Sequence, residues 1–299
     1  MSGARARAAY VGYRAAADVA RVLPPALAQP LARATSWAWL ASQPARRHQV
    51  ARNLERIAPE LSERDRRRAL VSVFENYGRY WHELFWMSNA GANTPLLADF
   101  DCHGLEHLEA AHAQGRGVVA ALPHLGNWDV AGAWITQQGF PVTTVAETAE
   151  PPELFDWFVA TRERLGMRVV PLSRTAGSAM VHDLGAGRVV CLLADRDITG
   201  DGVEVTFFGE RTRLPGGPAL LALRTGAPLL PVGLSFEPHG AHAARILAPL
   251  ATERQARLRD DVIRVTQDLA SNFEQLIRAA PDQWLMLQPM WPSDLLPAR

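Results

Sequence analysis

A histidine and an aspartate five positions apart, His124 and Asp129, follow the apolar run 117–121. In a regular helix their side chains would point about 140° apart with about 7.5 Å of axial rise between them, too far for contact. If His124 lies in a strand-to-helix turn and Asp129 in the first helical turn, Gly126 and Asn127 supply the backbone angles that bring them together. We then expect Asp129 to fix the imidazole tautomer while His124 takes a proton from an alcohol. The alternative is a surface turn in which Asp129 only caps the helix.

The elements that would position this pair begin near residue 100, where short apolar runs alternate with amphipathic segments. Such alternation predicts an α/β fold with a mixed, mostly parallel central sheet flanked by helices, and functional groups at the strand ends. Helices are predicted at 128–138, 153–165, 176–184 and 219–224, with a last long helix from Leu258 that ends before Pro281. The predicted strands are 118–122, 142–146, 168–171, 189–194, 203–208, 229–234 and 245–250.

The first hundred residues carry helical patterns instead. Helices are predicted up to about Leu23, before a break at Pro24 and Pro25, and then over 27–40 and 46–57. Ser62 opens a long amphipathic helix whose apolar and aromatic stripe is either core or the wall of an acyl groove; its members are Val73, Tyr77, Tyr80, Trp81, Leu84 and Phe85. We therefore expect an N-terminal helical, membrane-adsorbing segment at 1–98 and an α/β core at 99–299.

Composition sets limits on function. A chain of 299 residues with 48% hydrophobic content can build its own core. All its basic residues are arginines, concentrated among aromatic residues in the first 56 positions, a pattern that suits anionic lipid headgroups. The alternative is that these helices simply pack on the core. Zero net charge and the lack of a known module argue against nucleic-acid binding. No uninterrupted apolar stretch reaches membrane-spanning length, so we expect a peripheral protein on the cytoplasmic face of the plasma membrane.

The sequence lacks the residue patterns of a metal site, a serine or cysteine nucleophile and a nucleotide-binding loop. His103 and His107 are four apart, but Gly104 should start a helix after His103, so the pair would not share a helical face and no metal is expected. No serine stands in a GlyXSerXGly elbow. Cys191 lies within an apolar run, where burial raises the pKa of a thiol and makes it a poor nucleophile. No dinucleotide or Walker fingerprint is present, and no cofactor is expected.

Ordered blocks carry a family resemblance. The stretch 115–129 resembles the first signature block of the glycerolipid and lipid A acyltransferase superfamily. Further segments are similar to the phosphatidylinositol mannoside acyltransferases of actinobacteria, and the resemblance covers about residues 53–291. These segments include Val145-Ala146-Glu147, Arg162-Glu163-Arg164-Leu165-Gly166-Met167, Asp195-Arg196-Asp197, the run 202–209 and Pro215-Gly216-Gly217-Pro218-Ala219.

The resemblance implies an enzyme that moves a long acyl group, palmitoyl by similarity, from acyl-CoA to a mannose hydroxyl of a phosphatidylinositol mannoside. His124 would be the general base oriented by Asp129, and the alkoxide would attack the thioester without an acyl-enzyme. Glu204 would be the acidic residue of the downstream block, although alternation with Val203 and Val205 also fits a solvent-facing strand residue.

The same resemblance places further residues in the substrate site. Glu147 and Arg162 would line the groove as a pair, with an ordinary surface ion pair as the alternative. Gly126, Asn127 and Arg196 complete the predicted substrate-binding set.

Other functions stay open on the sequence. The lipid A branch of the superfamily would use an acyl carrier protein as donor, but the segment 282–291 looks more like the mannoside branch. A thioesterase would use the same base with water as the nucleophile. A non-catalytic lipid-binding protein could keep the fold without the chemistry.

Overall fold

The computed structural model describes residues 3–22, 25–91, 94–148 and 151–295. Four helices come first: α1 (Gly3–Val22), α2 (Pro25–Ser42), α3 (Pro44–Ile57) and α4 (Glu63–Ala90). This confirms the predicted N-terminal helices; Leu23 and Pro24, at the predicted break, lie outside the described residues. The predicted start of α4 is also confirmed, because the Ser62 hydroxyl accepts a hydrogen bond from the Asp65 amide at 3.2 Å and caps the helix.

Strands and helices then alternate as expected. The helices are α5 (Leu105–His112), α6 (Trp128–Gln137), α7 (Pro152–Arg164), α8 (Ala176–Gly185), α9 (Gly217–Thr225) and α10 (Leu258–Ala279). The strands are β1 (Phe100–His103), β2 (Val118–Leu122), β3 (Val142–Ala146), β4 (Arg168–Pro171), β5 (Val189–Leu193), β6 (Val203–Phe207), β7 (Glu210–Leu214), β8 (Leu229–Phe236) and β9 (His242–Ile246).

Within the described ranges, seven strands form one sheet in the order β1-β9-β8-β2-β5-β3-β4. Neighbouring strands run parallel except β8 and β9, which are antiparallel. The predicted fold class, a mixed and mostly parallel sheet flanked by helices, is confirmed. The strands β6 and β7 form a separate antiparallel hairpin.

Some boundaries differ from the prediction. The last strand of the sheet is His242–Ile246 rather than 245–250, because it pairs antiparallel with β8 in the register Phe236↔His242 to Val232↔Ile246. Leu247 and Leu250 still donate to backbone carbonyls of the β8 side, at 2.9 Å each, outside the regular ladder. The elements β1 and β7 were not predicted, whereas the helix expected to start after Gly104 is confirmed as α5.

The two faces of the sheet bury different apolar sets. On one face Val119 and Ala121 of β2 pack with α9 and α10 and with residues of α3 and α4 such as Leu54 and Phe74. On the other face Ala120 and Leu122 join residues near α5 and α6. All five residues of β2 are buried, as expected for a central strand covered on both sides.

Candidate active site

The turn after β2 has the predicted form. His124 lies in it, and Asp129 lies in the first turn of α6. Gly126 has a φ of 63°, and a Cβ there would lie 2.7 Å from the backbone carbonyl carbon of Leu234. Asn127 caps α6, because its side-chain oxygen accepts from the amides of Asp129 (3.1 Å) and Val130 (3.2 Å). Gly126 and Asn127 therefore build the turn that presents His124.

The acidic partner of His124 is Asp195. His124 Nδ1 lies 2.5 Å from Asp195 Oδ1, and the His124 amide donates to Asp195 Oδ2 at 2.8 Å. The sheet explains this contact: β2 and β5 are parallel with Leu122 opposite Leu193, so the residues two positions beyond each strand meet at one edge. The carboxylate holds the proton on Nδ1, which leaves Nε2 as the acceptor nitrogen.

Asp195 is fully buried and held ionised. Burial by itself raises the pKa of this carboxyl, but the adjacent His124 imidazole and hydrogen bonds from His124 and Trp284 outweigh burial and hold the pKa below its ordinary value. The His124 side chain keeps 19% of its surface exposed. A buried anion thus supports an imidazole that is open to a substrate.

Asp129 faces away from this pair and binds Arg162, so the predicted pairing of His124 with Asp129 is corrected. Arg162 Nε donates to Asp129 Oδ1 at 2.6 Å and its Nη2 to Oδ2 at 3.2 Å. The Tyr80 hydroxyl donates to Oδ2 at 2.9 Å. The physical reason is the start of α6 at Trp128, which turns Asp129 toward α4 and α7 instead of toward the sheet edge.

The same contacts correct the predicted pairing of Arg162 with Glu147, which is exposed just after β3. Burial lowers the pKa of the Arg162 guanidinium, but Asp129 raises it by more, so the net shift is upward. The pKa of the Tyr80 hydroxyl is raised well above its usual value, first by burial and then by Asp129. Asp129, Arg162 and Tyr80 therefore form a charged and hydrogen-bonded joint between α6, α7 and α4.

The segment after α10 forms hydrogen bonds to Asp195 and to the turn that presents His124. Trp284 Nε1 donates to Asp195 Oδ2 at 2.8 Å, and the Leu285 amide donates to the His124 carbonyl at 2.7 Å. The Gly126 amide donates to the Gln283 carbonyl at 3.3 Å. Sequence reasoning used this segment only for its family resemblance and missed Asp195 and Trp284 as site residues.

A second buried carboxylate holds the turn from the side of α4. Asn127 Nδ2 donates to Glu83 Oε2 at 2.7 Å, and Arg79 Nε donates to Glu83 Oε1 at the same distance. Burial raises the pKa of Glu83, but His242 and Arg79 outweigh it and lower the pKa. The cap residue of α6 is thus fixed by a charged group from another helix.

An apolar cavity lies behind the Trp128 ring, which contacts the imidazole. It holds about 80 Å³ between one face of the sheet and the helices α5 and α6. Small residues on alternate strand positions leave this space, among them Ala120, Thr144, Cys191 and Ala244. The Trp128 ring lines the cavity and meets the His124 ring edge to face, with 5.3 Å between centroids.

The lining of the cavity extends across most of the sheet, and its two cysteine thiols are unreactive. Its walls come from the six adjacent strands β1, β9, β8, β2, β5 and β3, a span of about 24 Å at the usual strand spacing. Burial raises the pKa of the Cys191 thiol to about 12 and that of Cys102 to about 11. Both cysteines therefore stay protonated, and the site offers an apolar slot without a protein nucleophile.

Two further predicted site residues, Glu204 and Arg196, do not line the apolar cavity, although Arg196 directly follows Asp195. Glu204 is on the exposed face of β6, where its carboxylate pairs with Arg211 at 3.1 Å and keeps 58% of its side-chain surface exposed. Glu204 and Arg196 line a separate groove with Arg213 and the segment 288–292. In the described ranges Glu204 makes no contact with His124, which corrects its predicted catalytic placement and matches the solvent-facing alternative. Alternation along β6, not proximity to the base, sets its position.

Two further findings concern ligands and membranes. Among the described residues, no three or more His, Cys, Asp or Glu side chains are grouped so that they could hold a metal ion. Of the helices in those same ranges, none combines the length and the apolar character needed to cross a bilayer.

Comparison with known proteins adds independent information. The family model described as bacterial lipid A biosynthesis acyltransferase matches residues 8–293. The chain is 45% identical over 235 residues to the phosphatidylinositol mannoside acyltransferase of Mycobacterium tuberculosis (strain CDC 1551 / Oshkosh), covering 77% of this chain and 72% of the relative. It is 40% identical over 288 residues to the protein of that name in Mycolicibacterium smegmatis, covering 95% of this chain and 92% of the relative. It is 28% identical over 244 residues to the lipid A biosynthesis lauroyltransferase of Escherichia coli (strain K12), covering 80% of this chain and 76% of the relative. These matches confirm the resemblance drawn from the sequence blocks.

Proposed function

Because the chain belongs to the family of bacterial lipid A biosynthesis acyltransferases, we propose that it transfers a long-chain fatty acyl group, palmitoyl by preference, from acyl-CoA to a mannose hydroxyl of a phosphatidylinositol mannoside. The observation that carries this proposal is the His124–Asp195 pair, which Trp128 separates from an apolar cavity. The proposed acceptor, a phosphatidylinositol mannoside, is supported by the two mycobacterial relatives that are 45% and 40% identical, because both are named for acylation of that lipid.

The reaction follows from the proton positions. His124 Nε2 takes the proton of the acceptor hydroxyl as the oxygen attacks the thioester carbonyl, and the buried Asp195 carboxylate stabilises the imidazolium that forms. The new C–O bond forms, the C–S bond breaks, and the imidazolium returns its proton to the leaving thiolate. Direct attack suits a site whose two cysteines are kept protonated by burial.

The cavity supports a long acyl donor. It is lined mostly by aliphatic and aromatic side chains; polar side-chain atoms are carried by Thr144, Asp129, the indoles of Trp128 and Trp134, and the two thiols. Its volume of about 80 Å³ is smaller than that of a usual ligand pocket, so a long acyl chain requires its apolar walls to move apart. An acyl chain that enters past Trp128 would keep its thioester near the imidazole.

The acceptor is proposed to bind on the side of Arg162. Its guanidinium is fixed by Asp129 and lies over the Phe158 ring, with 5.9 Å from the guanidinium carbon to the ring centroid. A cation held in this way can orient a phosphate or sugar hydroxyl without moving itself. We propose that Arg162 positions the acceptor headgroup while His124 takes the proton.

We propose that the N-terminal helices bind the enzyme to the anionic surface of the plasma membrane. The face would be the cytoplasmic one, where acyl-CoA is available. Val11, Val19, Leu31 and Trp37 of α1 and α2 are between 43% and 59% exposed. Exposed arginines of the same helices lie among them. Apolar side chains mixed with cations favour adsorption to anionic lipid.

The first experiment compares the wild-type protein with His124→Ala in a reaction with palmitoyl-CoA and phosphatidylinositol mannoside. Product formation is followed by mass spectrometry and thiol release with a thiol-reactive dye. Loss of the general base should lower turnover by about 10² to 10⁴-fold. His103→Ala is the matched control, because His103 is an exposed histidine that pairs with Asp101.

The outcomes separate the alternatives. Unchanged turnover in folded His124→Ala would refute the proposal. Thiol release with free fatty acid and no acylated glycolipid would identify a thioesterase. Preference for acyl carrier protein over CoA with the same acyl group would place the chain with the lipid A branch. No turnover of either donor would leave a lipid-binding protein.

A further inference from the structure

A second groove lies on the N-terminal helices, on a side of α4 other than the one that contacts the catalytic turn. It is bounded by α1, α2 and α4, with Arg46 of α3 among its lining residues. Aromatic rings and small residues form its surface: Tyr13, Ala15, Ala16, Ala32, Trp39, Tyr77, Gly78, Trp81 and Phe85. The hydroxyls of Thr35 and Ser36 bond to carbonyls of their own helix, so they do not make the surface polar.

Tyr13, Tyr77 and Arg46, which line this groove, carry hydrogen-bond donors. The Tyr13 hydroxyl lies close enough to Tyr77 and Arg46 for each to influence its ionisation: after burial, which raises the Tyr13 pKa most, Tyr77 raises it and Arg46 lowers it. In the part of the chain that the structure describes, the Arg46 guanidinium and both hydroxyls have no hydrogen-bond acceptor and no ion-pair partner.

The donors are held in place by stacking. The Arg46 guanidinium carbon lies 5.0 Å from the centroid of the Trp39 ring. The Trp39 ring in turn stacks on Tyr77 with 5.1 Å between centroids and 12° between planes. Burial lowers the pKa of His82, the other titratable cation that lines the groove, despite the opposing effect of Glu83. The charge of the groove therefore resides in Arg46 and calls for an anion.

We propose that this groove binds one molecule of an anionic phospholipid, with an acyl chain along the aromatic surface and the phosphate between Arg46, Tyr13 and Tyr77. Charge complementarity selects the headgroup, because Arg46 and the hydroxyls of Tyr13 and Tyr77 would meet phosphate oxygens. The aromatic rings select the chain, because their faces supply apolar contact. The site is distinct from the acyl cavity behind His124 and does not depend on the reaction proposed for it.

The test compares two neighbouring arginines. Arg46→Gln removes the cation of the groove, whereas Arg47→Gln removes an exposed cation from the same turn of α3 that does not line the groove. Binding of soluble dihexanoyl-phosphatidylglycerol is measured by calorimetry, with dihexanoyl-phosphatidylcholine and inorganic phosphate as comparison ligands. Wild type and Arg47→Gln should bind the anionic lipid with one site. Arg46→Gln should bind it about 10- to 100-fold more weakly, as expected for loss of a charge-assisted hydrogen bond.

Tyr77→Phe gives a second, milder variant. It keeps the ring that stacks on Trp39 and removes only one donor, so its affinity should lie between wild type and Arg46→Gln. Equal loss in Arg46→Gln and Arg47→Gln would mean diffuse adsorption and would overturn the site. Equal affinity for the choline lipid, or for phosphate alone, would also overturn it.

These outcomes are separable from the proposed reaction. Thiol release from palmitoyl-CoA in detergent should be unchanged in Arg46→Gln, because Arg46 contacts neither His124 nor Asp195. Lipid binding should survive in His124→Ala. If the wild-type protein binds the lipid but shows no transfer, only the proposed reaction is refuted. If it shows transfer but does not bind the lipid, only the proposed lipid site is refuted.

Discussion

Exchange of Asp195 for asparagine tests which carboxylate supports the base. Asp195→Asn keeps the shape of the side chain and an oxygen within reach of Nδ1, but it removes the charge that faces the imidazolium. At a charge separation of about 4 Å and an effective dielectric constant of about 20, that interaction is about 4 kcal/mol. Each 1.36 kcal/mol is tenfold in rate, so the variant should lose about 10³-fold in kcat.

Asp129→Asn is the matched comparison. It leaves the His124–Asp195 contact intact and breaks the charge pair with Arg162, whose side chain is 14% exposed. Removal of one partner from a pair buried to this degree costs about 3 to 5 kcal/mol of folding free energy. We therefore expect a lower melting temperature and a higher KM for the acceptor, with kcat of the folded enzyme within about tenfold of wild type.

The assay measures kcat from thiol release and product mass at saturating donor and acceptor, with folding checked by circular dichroism and urea unfolding. The catalytic reasoning is refuted if folded Asp195→Asn keeps kcat within about fivefold of wild type, well short of the 10²-fold minimum for a general base. It is also refuted if Asp129→Asn alone loses about 10³-fold in kcat at unchanged stability.

Three further predictions concern the surroundings of the pair. Trp284→Phe removes a donor to Asp195 and should raise the pKa of that carboxyl, so the stability that its charge contributes should be lost at a higher pH in urea unfolding. Trp291→Phe, whose indole donates to the Phe207 carbonyl instead, should leave that pH unchanged. Ala120→Leu fills part of the acyl cavity and should shift the preferred donor to a shorter chain, measured by competition between acyl-CoA esters. Asp195 and Glu83 have lowered pKa values in the folded state. Their ionised forms therefore stabilise the fold above the unfolded carboxyl pKa of about 4, and this stability is lost as the pH falls through the folded pKa values. Urea unfolding between neutral pH and pH 3 should detect the loss, and a free energy of unfolding that does not change with pH would contradict it.

The strands 118–122, 142–146 and 168–171 were predicted at their observed bounds, because apolar runs stand between polar or glycine-containing segments. The first two lie inside the sheet, whereas 168–171 is an edge strand with exposed ends. The missed strand β1 reads Phe-Asp-Cys-His and lies at the edge of the sheet, where alternate residues are exposed. The missed strand β7 pairs with β6 in a hairpin and carries Glu210, Arg211 and Arg213, so it has no apolar run although Leu214 is buried in the core.

The site was predicted only in part, because one of its contacts depends on strand order. The turn that presents His124 is local, and its glycine and cap residue are visible in the sequence. The contact of His124 with Asp195 joins residues 71 positions apart and exists because β5 lies next to β2. The pattern that could have identified it is that each residue stands two positions after a buried apolar strand, since neighbouring parallel strands bring such positions to one edge.

The helix α4 contacts the turn that presents His124 on one side and lines the proposed lipid groove on another. Tyr80 and Glu83 bond to the first residues of α6, whereas Tyr77, Trp81 and Phe85 line the groove at four-residue spacing. Positions three apart on a helix differ by about 60° around its axis, and a helix with side chains is about 10 to 12 Å wide. The two sites are therefore separated by little more than the helix itself. Gly78 allows α2 to pack closely on α4 at the groove, because a Cβ there would lie 1.9 Å from the Ser36 hydroxyl oxygen of α2. A lipid held in the groove would consequently sit within one helix width of the turn that presents His124, with no need for α4 to move.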